Sequence, residues 1–186
     1  MSLFSSDKLK GKRIAILATD GFEQSELTKP QKFLKDEGAT VDVISLKSGS
    51  IKGWDQTNWG DKVDVDKTLS EVNVADYDAL VLPGGQMNPD KLRIEPTAVK
   101  FVRDFAQSGK LVAAICHGSW TLIEADVVRG KHMTSWPSVK TDLRNAGAEW
   151  QDSEVVVDGN FITSRKPEDL DAFNKKIEEK LLGTAK

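Results

Sequence analysis

Apolar positions in this chain fall into short unbroken runs, separated by polar stretches punctuated by glycine. Arg13–Ala18 (Arg-Ile-Ala-Ile-Leu-Ala), Thr40–Leu46, Asp78–Leu82 and Leu111–Ile115 are rich in β-branched and aliphatic residues. Such runs predict strands, and those without polar alternation predict strands covered on both faces. A helical period lies between them. Ser25–Glu37 places Leu27, Phe33 and Leu34 on one face and stops at Gly38, with Pro30 marking a start close by or a kink. Glu95–Ser108 carries Pro96 in its first turn, Val99, Val102, Phe105 and Ala106 along one stripe, and Gly109 as a stop.

After Leu111–Ile115 the pattern predicts a helix through Ala125, a short strand at Lys131–Ser135, and a helix with Ser138 as candidate N-cap and Gly147 as its end. Val155–Ser164, centred on Asp158-Gly159-Asn160, reads as a hairpin. Pro167 opens a last helix with Glu168 and Asp169 in its first turn and Lys180 near its end. Lys47–Asp66 differs in texture: with Gly49, Gly53, Gly60, Trp54 and Trp59 it reads as small antiparallel strands or a loop, not a linker. Strand and helix alternate, which predicts an α/β fold with a largely parallel sheet and helices on both faces. Residues 1–12 are expected to form a flexible N-terminal arm and residues 13–183 a single domain.

Composition narrows the possibilities. The chain has 186 residues, 39% hydrophobic and 30% charged, as in ordinary soluble domains. Lys and Arg total 26 against 29 Asp and Glu, with no basic block, so no nucleic-acid-binding motif is present. The apolar runs are too short to span a bilayer, and the first residues lack the apolar core of a signal peptide. With one cysteine no internal disulfide is possible, so a cytoplasmic location is expected.

That cysteine is the focus of the candidate chemistry. Cys116 ends the run Leu111–Ile115 and precedes His117-Gly118 and a helix start, the arrangement of a nucleophile elbow. A helix N-terminus favours a thiolate there. Ligands in parallel α/β folds bind beyond the carboxyl ends of the strands. Glu23, Gly84–Gly85 and Cys116–His117 each follow a predicted strand and are expected to converge on that edge. His117 is a candidate general base and acid, unless the tight turn points it elsewhere. Glu23 is either a solvated carboxylate or, facing Cys116 from an apolar site, a group that shares a proton with the sulfur. The backbone N–H groups of Gly85 and His117 are candidates for an oxyanion hole. His132 reads as structural or surface. Two histidines and one cysteine provide no zinc spacing, and neither metal nor cofactor is expected. Trp120, Trp136 and Trp150 are expected in the core. Trp54 and Trp59 are candidates for a pocket wall or a subunit interface.

Leu80-Val81-Leu82-Pro83-Gly84-Gly85, Ala114-Ile115-Cys116-His117-Gly118, Asn145-Ala146-Gly147-Ala148-Glu149-Trp150, Glu154–Asn160 and Ile162-Thr163-Ser164-Arg165 together resemble the PfpI-type cysteine peptidases of the ThiJ/PfpI superfamily, from about Lys12 to Leu182. The resemblance implies a flavodoxin-like three-layer sandwich, related to class I glutamine amidotransferases, with a reactive Cys116. It implies that Glu23 hydrogen-bonds the sulfur and that the Gly85 and His117 amides face the substrate. It also implies that His117 pairs with a carboxylate of a neighbouring subunit, matched here by Asp90. Asp90 is shorter than the Glu usual there, and Gln86–Asp90 is one residue longer. A homo-oligomer, a dimer or a dimer-based hexamer, follows from such a site.

Fold alone does not choose among the activities of this superfamily. The favoured expectation is a stress-protective enzyme acting on a small reactive carbonyl, glyoxalase III- or deglycase-like, through a Cys116 thiolate. The alternatives are an intracellular peptidase acting on peptides, and a redox-sensing or chaperone-like protein with an oxidisable Cys116. Carbonyl chemistry needs only a small pocket, whereas peptide cleavage needs an open groove and a well-placed base.

Overall fold

The computed structural model describes residues 6–183. In chain order the strands are β1 (Arg13–Leu17), β2 (Phe22–Glu23), β3 (Thr40–Ser45), β4 (Ser50–Asp55), β5 (Asn58–Asp64), β6 (Lys67–Thr68), β7 (Ala79–Leu82), β8 (Leu111–Ile115), β9 (His132–Met133), β10 (Glu149–Trp150), β11 (Val156–Asp158) and β12 (Phe161–Ser164). The helices are α1 (Gln24–Asp36), α2 (Met87–Leu92), α3 (Pro96–Gln107), α4 (Ser119–Glu124), α5 (Lys140–Asn145) and α6 (Leu170–Leu181). Seven strands form the central sheet in the order β11-β12-β8-β7-β1-β3-β6, all parallel except the edge pair β11–β12.

The unbroken apolar runs follow from cover on both sides. In β1, Ile14 and Ile16 pack into one core with Leu27 and Leu34 of α1 and Phe173 and Ile177 of α6. Ala15 and Leu17 face the other core, with Phe101 and Phe105 of α3, Leu122 of α4 and Leu143 of α5. In β8, Ala113 and Ile115 belong to the first core and Val112 and Ala114 to the second. This is the flavodoxin-like three-layer sandwich.

The glycine-rich excursion is the antiparallel hairpin β4–β5, which attaches through β4 to β2 at Phe22↔Gly53 and Glu23↔Trp54. That attachment brings Trp54 to the entrance of α1. The segment expected as a flexible arm behaves differently where it is described. Leu9 is fully buried, its N–H donates to Glu37 O (2.7 Å), and Lys8 pairs with Glu178 (3.1 Å). Residues 6–12 therefore dock on α1 and α6 because one leucine in a polar stretch finds an apolar socket. Residues 1–5 of the expected arm lie outside the described residues.

A candidate active site at the elbow after β8

β8 runs through the sheet interior and ends at Cys116, whose φ is +62°. Only glycine adopts such angles without strain, and a side chain held there costs on the order of 1–3 kcal/mol. The sharp turn continues as a 3-10 turn, Cys116–Gly118, into α4. Gly118 permits that path, since a Cβ there would lie 2.5 Å from Leu82 O. Strand order reverses between β1 and β7, the position at which open parallel sheets form a crevice. The segments following β1, β7 and β8 meet there around a cavity of about 640 Å³, reached by Trp54, Met87 and Trp136 and floored by Cys116.

Asn88 ties those segments together, and nothing in the sequence marked it. It is fully buried on α2; its Oδ1 accepts from Thr19 N–H (2.8 Å), and its Nδ2 donates to Pro83 O (3.0 Å) and Gly84 O (3.2 Å). The loops after β1 and β7 are thus fixed against one side chain. Gly84 lies where a Cβ would be 2.7 Å from Cys116 Cβ, 2.9 Å from Glu26 Oε1 and 2.9 Å from His117 N. Only a glycine fits among those three groups.

The carboxyl group beside the sulfur belongs to Glu26, not Glu23. Glu23 lies in β2, half-buried and paired with β4; it lines the same cavity farther from the thiol. α1 begins immediately after it, and its first turn carries Glu26 inward to full burial. A signal for this was present: Glu26, Pro30 and Leu34 follow each other at i+4, so Glu26 falls on the buried stripe of α1. Burial foremost, then the nearby Glu23 charge, pushes the Glu26 pKa up to about 8. The Cys116 thiol and the Gly84 and Gly85 amides act in the opposite direction. Neither Glu26 oxygen is closed by a hydrogen bond of ordinary geometry, so the group is a buried neutral acid at pH 7.

Burial also pushes the Cys116 thiol up, well above the ordinary range, and the Glu26 charge adds to this. The expectation of a thiolate favoured by the helix start therefore does not hold by itself, because desolvation outweighs the short α4. The N–H groups of Gly85 and His117 both act on the sulfur and lower its pKa. Amide groups from two separate strand ends thus act on the same sulfur. The repulsion from Glu26 exists only while that carboxyl is charged. Once Glu26 holds a proton the repulsion vanishes and its O–H becomes a donor toward sulfur.

His117 is buried, with Nδ1 3.2 Å from Cys116 Sγ and Nε2 3.3 Å from Ser138 Oγ. Desolvation lowers its pKa to about 4, so the ring is neutral and able to accept a proton. Ser138, expected as a helix N-cap, instead sits inside the 3-10 turn Pro137–Val139 and faces the histidine. Trp136, expected in the core, is 38% exposed and stacks on His117 with ring centres 6.1 Å apart. Asp90 is on the exposed face of α2 and pairs with Arg93 (3.0 Å) of its own chain. His132 is at the surface, 3.2 Å from Glu149. Among the described residues, no three His, Cys, Asp or Glu side chains are grouped to hold a metal ion. No helix among them is long and apolar enough to cross a membrane.

The model of the DJ-1/PfpI family matches residues 12–180. The chain belongs to the DJ-1/PfpI family. Within it, the chain is 47% identical over 166 residues to a protein named Protein/nucleic acid deglycase 2 from Escherichia coli, a match over 88% of this chain and 94% of that protein. It is 44% identical over 165 residues to Deglycase PfpI from Pyrococcus furiosus, over 89% of this chain and 96% of that protein. Among solved structures, a two-domain protein from Anabaena variabilis with DJ-1/ThiJ/PfpI-like and ferritin-like domains superposes with a TM-score of 0.85 at 40% identity. That match covers 92% of this chain but 48% of the other, so this chain spans about half the length of that protein. Family membership agrees with the buried elbow, and the chain is a cysteine-dependent enzyme of this family.

Proposed function

We propose that this protein removes or converts reactive carbonyl groups in a stress-protective role, as a deglycase- or glyoxalase III-like enzyme. The observation that carries this reading is Glu26: a buried, neutral carboxylic acid beside the thiol of Cys116. An acid poised near neutral pH is suited to move a proton to a developing alkoxide. In the proposed reaction His117 Nδ1 takes the thiol proton and Cys116 Sγ adds to the aldehyde carbon of the substrate. The resulting oxyanion lies against the Gly85 and His117 N–H groups, and Glu26 supplies the proton that neutralises it. With methylglyoxal, transfer of hydrogen from C1 to C2 leaves a thioester, and water then releases lactate and the free thiol.

The cavity of about 640 Å³, flanked by Trp54 and Trp136, suits a small carbonyl compound or a carbonyl adduct on a side chain. The relatives named deglycases support the same choice. Turnover of methylglyoxal by the purified protein should fall at least about a thousandfold in Cys116→Ser, because the hydroxyl is a far weaker nucleophile at neutral pH. Equal turnover by both forms would sink the reading.

The same reading assigns the protein to the cytoplasm, where a single nucleophilic cysteine stays reduced. It also assigns a homo-oligomer with a dimer as the smallest unit. The exposed Asp90 of α2 is the group through which a neighbouring subunit would meet the site.

A further inference from the structure

The cavity above Cys116 carries charge of one sign. Three carboxyl groups line it from three segments: Glu23 at the end of β2, Glu26 in the first turn of α1, and Glu168 in the 3-10 turn Pro167–Asp169 after β12. Among the described residues, no lysine or arginine lines it, and neither Glu23 nor Glu168 has an ion-pair partner. Arg165, three residues before Glu168, is committed to Asp152 and Asp169 at 2.9 Å each, and Lys52 of β4 lies over the Trp59 ring at 5.5 Å. Glu23 is half-buried and Glu168 exposed, so both stand toward the mouth. Burial raises the Glu23 pKa, the Gln56 N–H that it accepts opposes the rise, and Asp55 of β4 is close enough to act on it through its charge. Deeper in the cavity, both Glu26 oxygens are buried without a hydrogen bond of ordinary geometry, which leaves accepting capacity for a donor-rich ligand. Trp54, half-buried, and Trp136, 38% exposed, line the same space.

We propose that Glu23 and Glu168 are specificity-determining residues: with Trp54 and Trp136 they make the mouth of the site selective for cations, so that it prefers carbonyl adducts borne on or beside a guanidinium or ammonium group and disfavours anionic carriers. Two unpaired carboxylates at the rim of a partly desolvated cleft concentrate negative potential there. A phosphate or carboxylate on the substrate would meet that potential with no cation to offset it, and like charges brought together at a binding surface reject the wrong partner. A guanidinium meets the opposite situation. Its N–H groups can bond a carboxylate while its plane rests on an indole face, two contacts that suit one planar cation. A neutral carbonyl compound gains nothing from the charge and is not excluded by it.

The reacting group of the substrate rests on the carbonyl reading, whereas the charge selection does not, and the experiment separates them. Two methanethiosulfonate reagents, one ending in a trimethylammonium group and one in a sulfonate, modify Cys116 by the same step: the thiolate displaces methanesulfinate and a mixed disulfide forms. The ratio of their rates, divided by that for 2-mercaptoethanol, cancels the acidity of the thiol and reads the charge at the mouth. In the natural protein it should exceed about ten at low salt and shrink as salt is raised. Glu23→Gln, which keeps an oxygen for the Gln56 N–H, and Glu168→Gln should each lower it roughly threefold, and together bring it near one. Asp7→Asn, an exposed carboxylate ahead of β1 at the opposite edge of the sheet, should leave it unchanged. Turnover is then compared for the methylglyoxal adducts of Nα-acetylarginine amide and of guanosine monophosphate. The arginine adduct should be favoured at least about tenfold in kcat/KM, and the double variant should lose most of that preference. A normalised reagent ratio near one in the natural protein, a ratio that survives both substitutions, or equal kcat/KM for the two adducts would each overturn the assignment. The expected reagent ratios in a protein that turns over neither adduct would keep the cation-selective mouth and remove the carbonyl reading.

Discussion

A neutral acid next to a thiol changes what each group does. Glu26 is buried enough to hold its proton at pH 7, so it neither repels a thiolate nor lacks a proton to give. Glu23, half-buried on the same cavity, has its pKa raised chiefly by burial, opposed by the Gln56 backbone N–H, and is not next to the sulfur. The two carboxylates should therefore differ sharply on substitution. Glu26→Gln is expected to lower kcat/KM for methylglyoxal about a hundredfold or more, the range of a lost general acid. Glu23→Gln should lose less than about tenfold. Equal losses from both would remove Glu26 from its assigned role. The sequence pointed to the right segment because a carboxylate after β1 is expected at the sheet edge. It pointed to the wrong carboxylate because the choice depends on where α1 begins. Starting at Gln24, the helix turns Glu26 inward and leaves its neighbour three residues back at the rim. Cys116, His117 and Gly85 were legible because each stands at a strand end, where no such rotation is left to settle.

The elements divide along a similar line. β1, β3, β7, β8 and α3 could be read from apolar runs and from one amphipathic stripe, because burial on both faces or on one face writes itself into composition. α2 could not. Its residues Met87–Leu92 include Pro89 and carry no periodic stripe, and the element is held by the tertiary bonds of Asn88. Ser138 misled for a related reason, since N-cap chemistry and a side chain facing an imidazole use the same residue type. What positions the site is mostly loop backbone at close quarters. Gly85 has φ +77°, and a Cβ there would lie 2.5 Å from Gly21 O and 2.7 Å from Glu23 N. Both obstacles are backbone and cannot swing aside. Gly85→Ala should thus cost about 3 kcal/mol, combining strain at positive φ with overpacking. Urea denaturation gives the number, and a loss under about 1 kcal/mol would mean that the loops after β1 and β7 yield easily. The same substitution should reduce turnover, since it moves an N–H that faces the sulfur.

At the scale of the whole molecule, the buried ionisable groups link the site to global stability. The Glu26 pKa rises from 4.5 to about 8 on folding. Between those values the folded chain keeps a proton that the unfolded chain releases, so stability falls as pH rises through that window. His117 works the other way. Its pKa falls from 6.5 to about 4, the unfolded chain takes up the proton first, and stability falls as pH drops through that range. The two effects oppose each other between 4.5 and 6.5, and above 6.5 the Glu26 effect stands without its counterweight. Glu23, with a raised pKa of its own, adds to the fall in the same direction. The protein is therefore expected to be most stable in mildly acidic buffer and to lose about 2 kcal/mol between pH 6.5 and 8. For a chain of this length that is a drop in Tm of roughly 4–8 °C. Glu26→Gln has no proton to release and should flatten most of this slope, while keeping the acid limb set by His117. Scanning calorimetry of both proteins over this range is decisive. Parallel Tm curves would mean that Glu26 is already charged in the folded state, and the acid assigned to the reaction would have to be sought elsewhere.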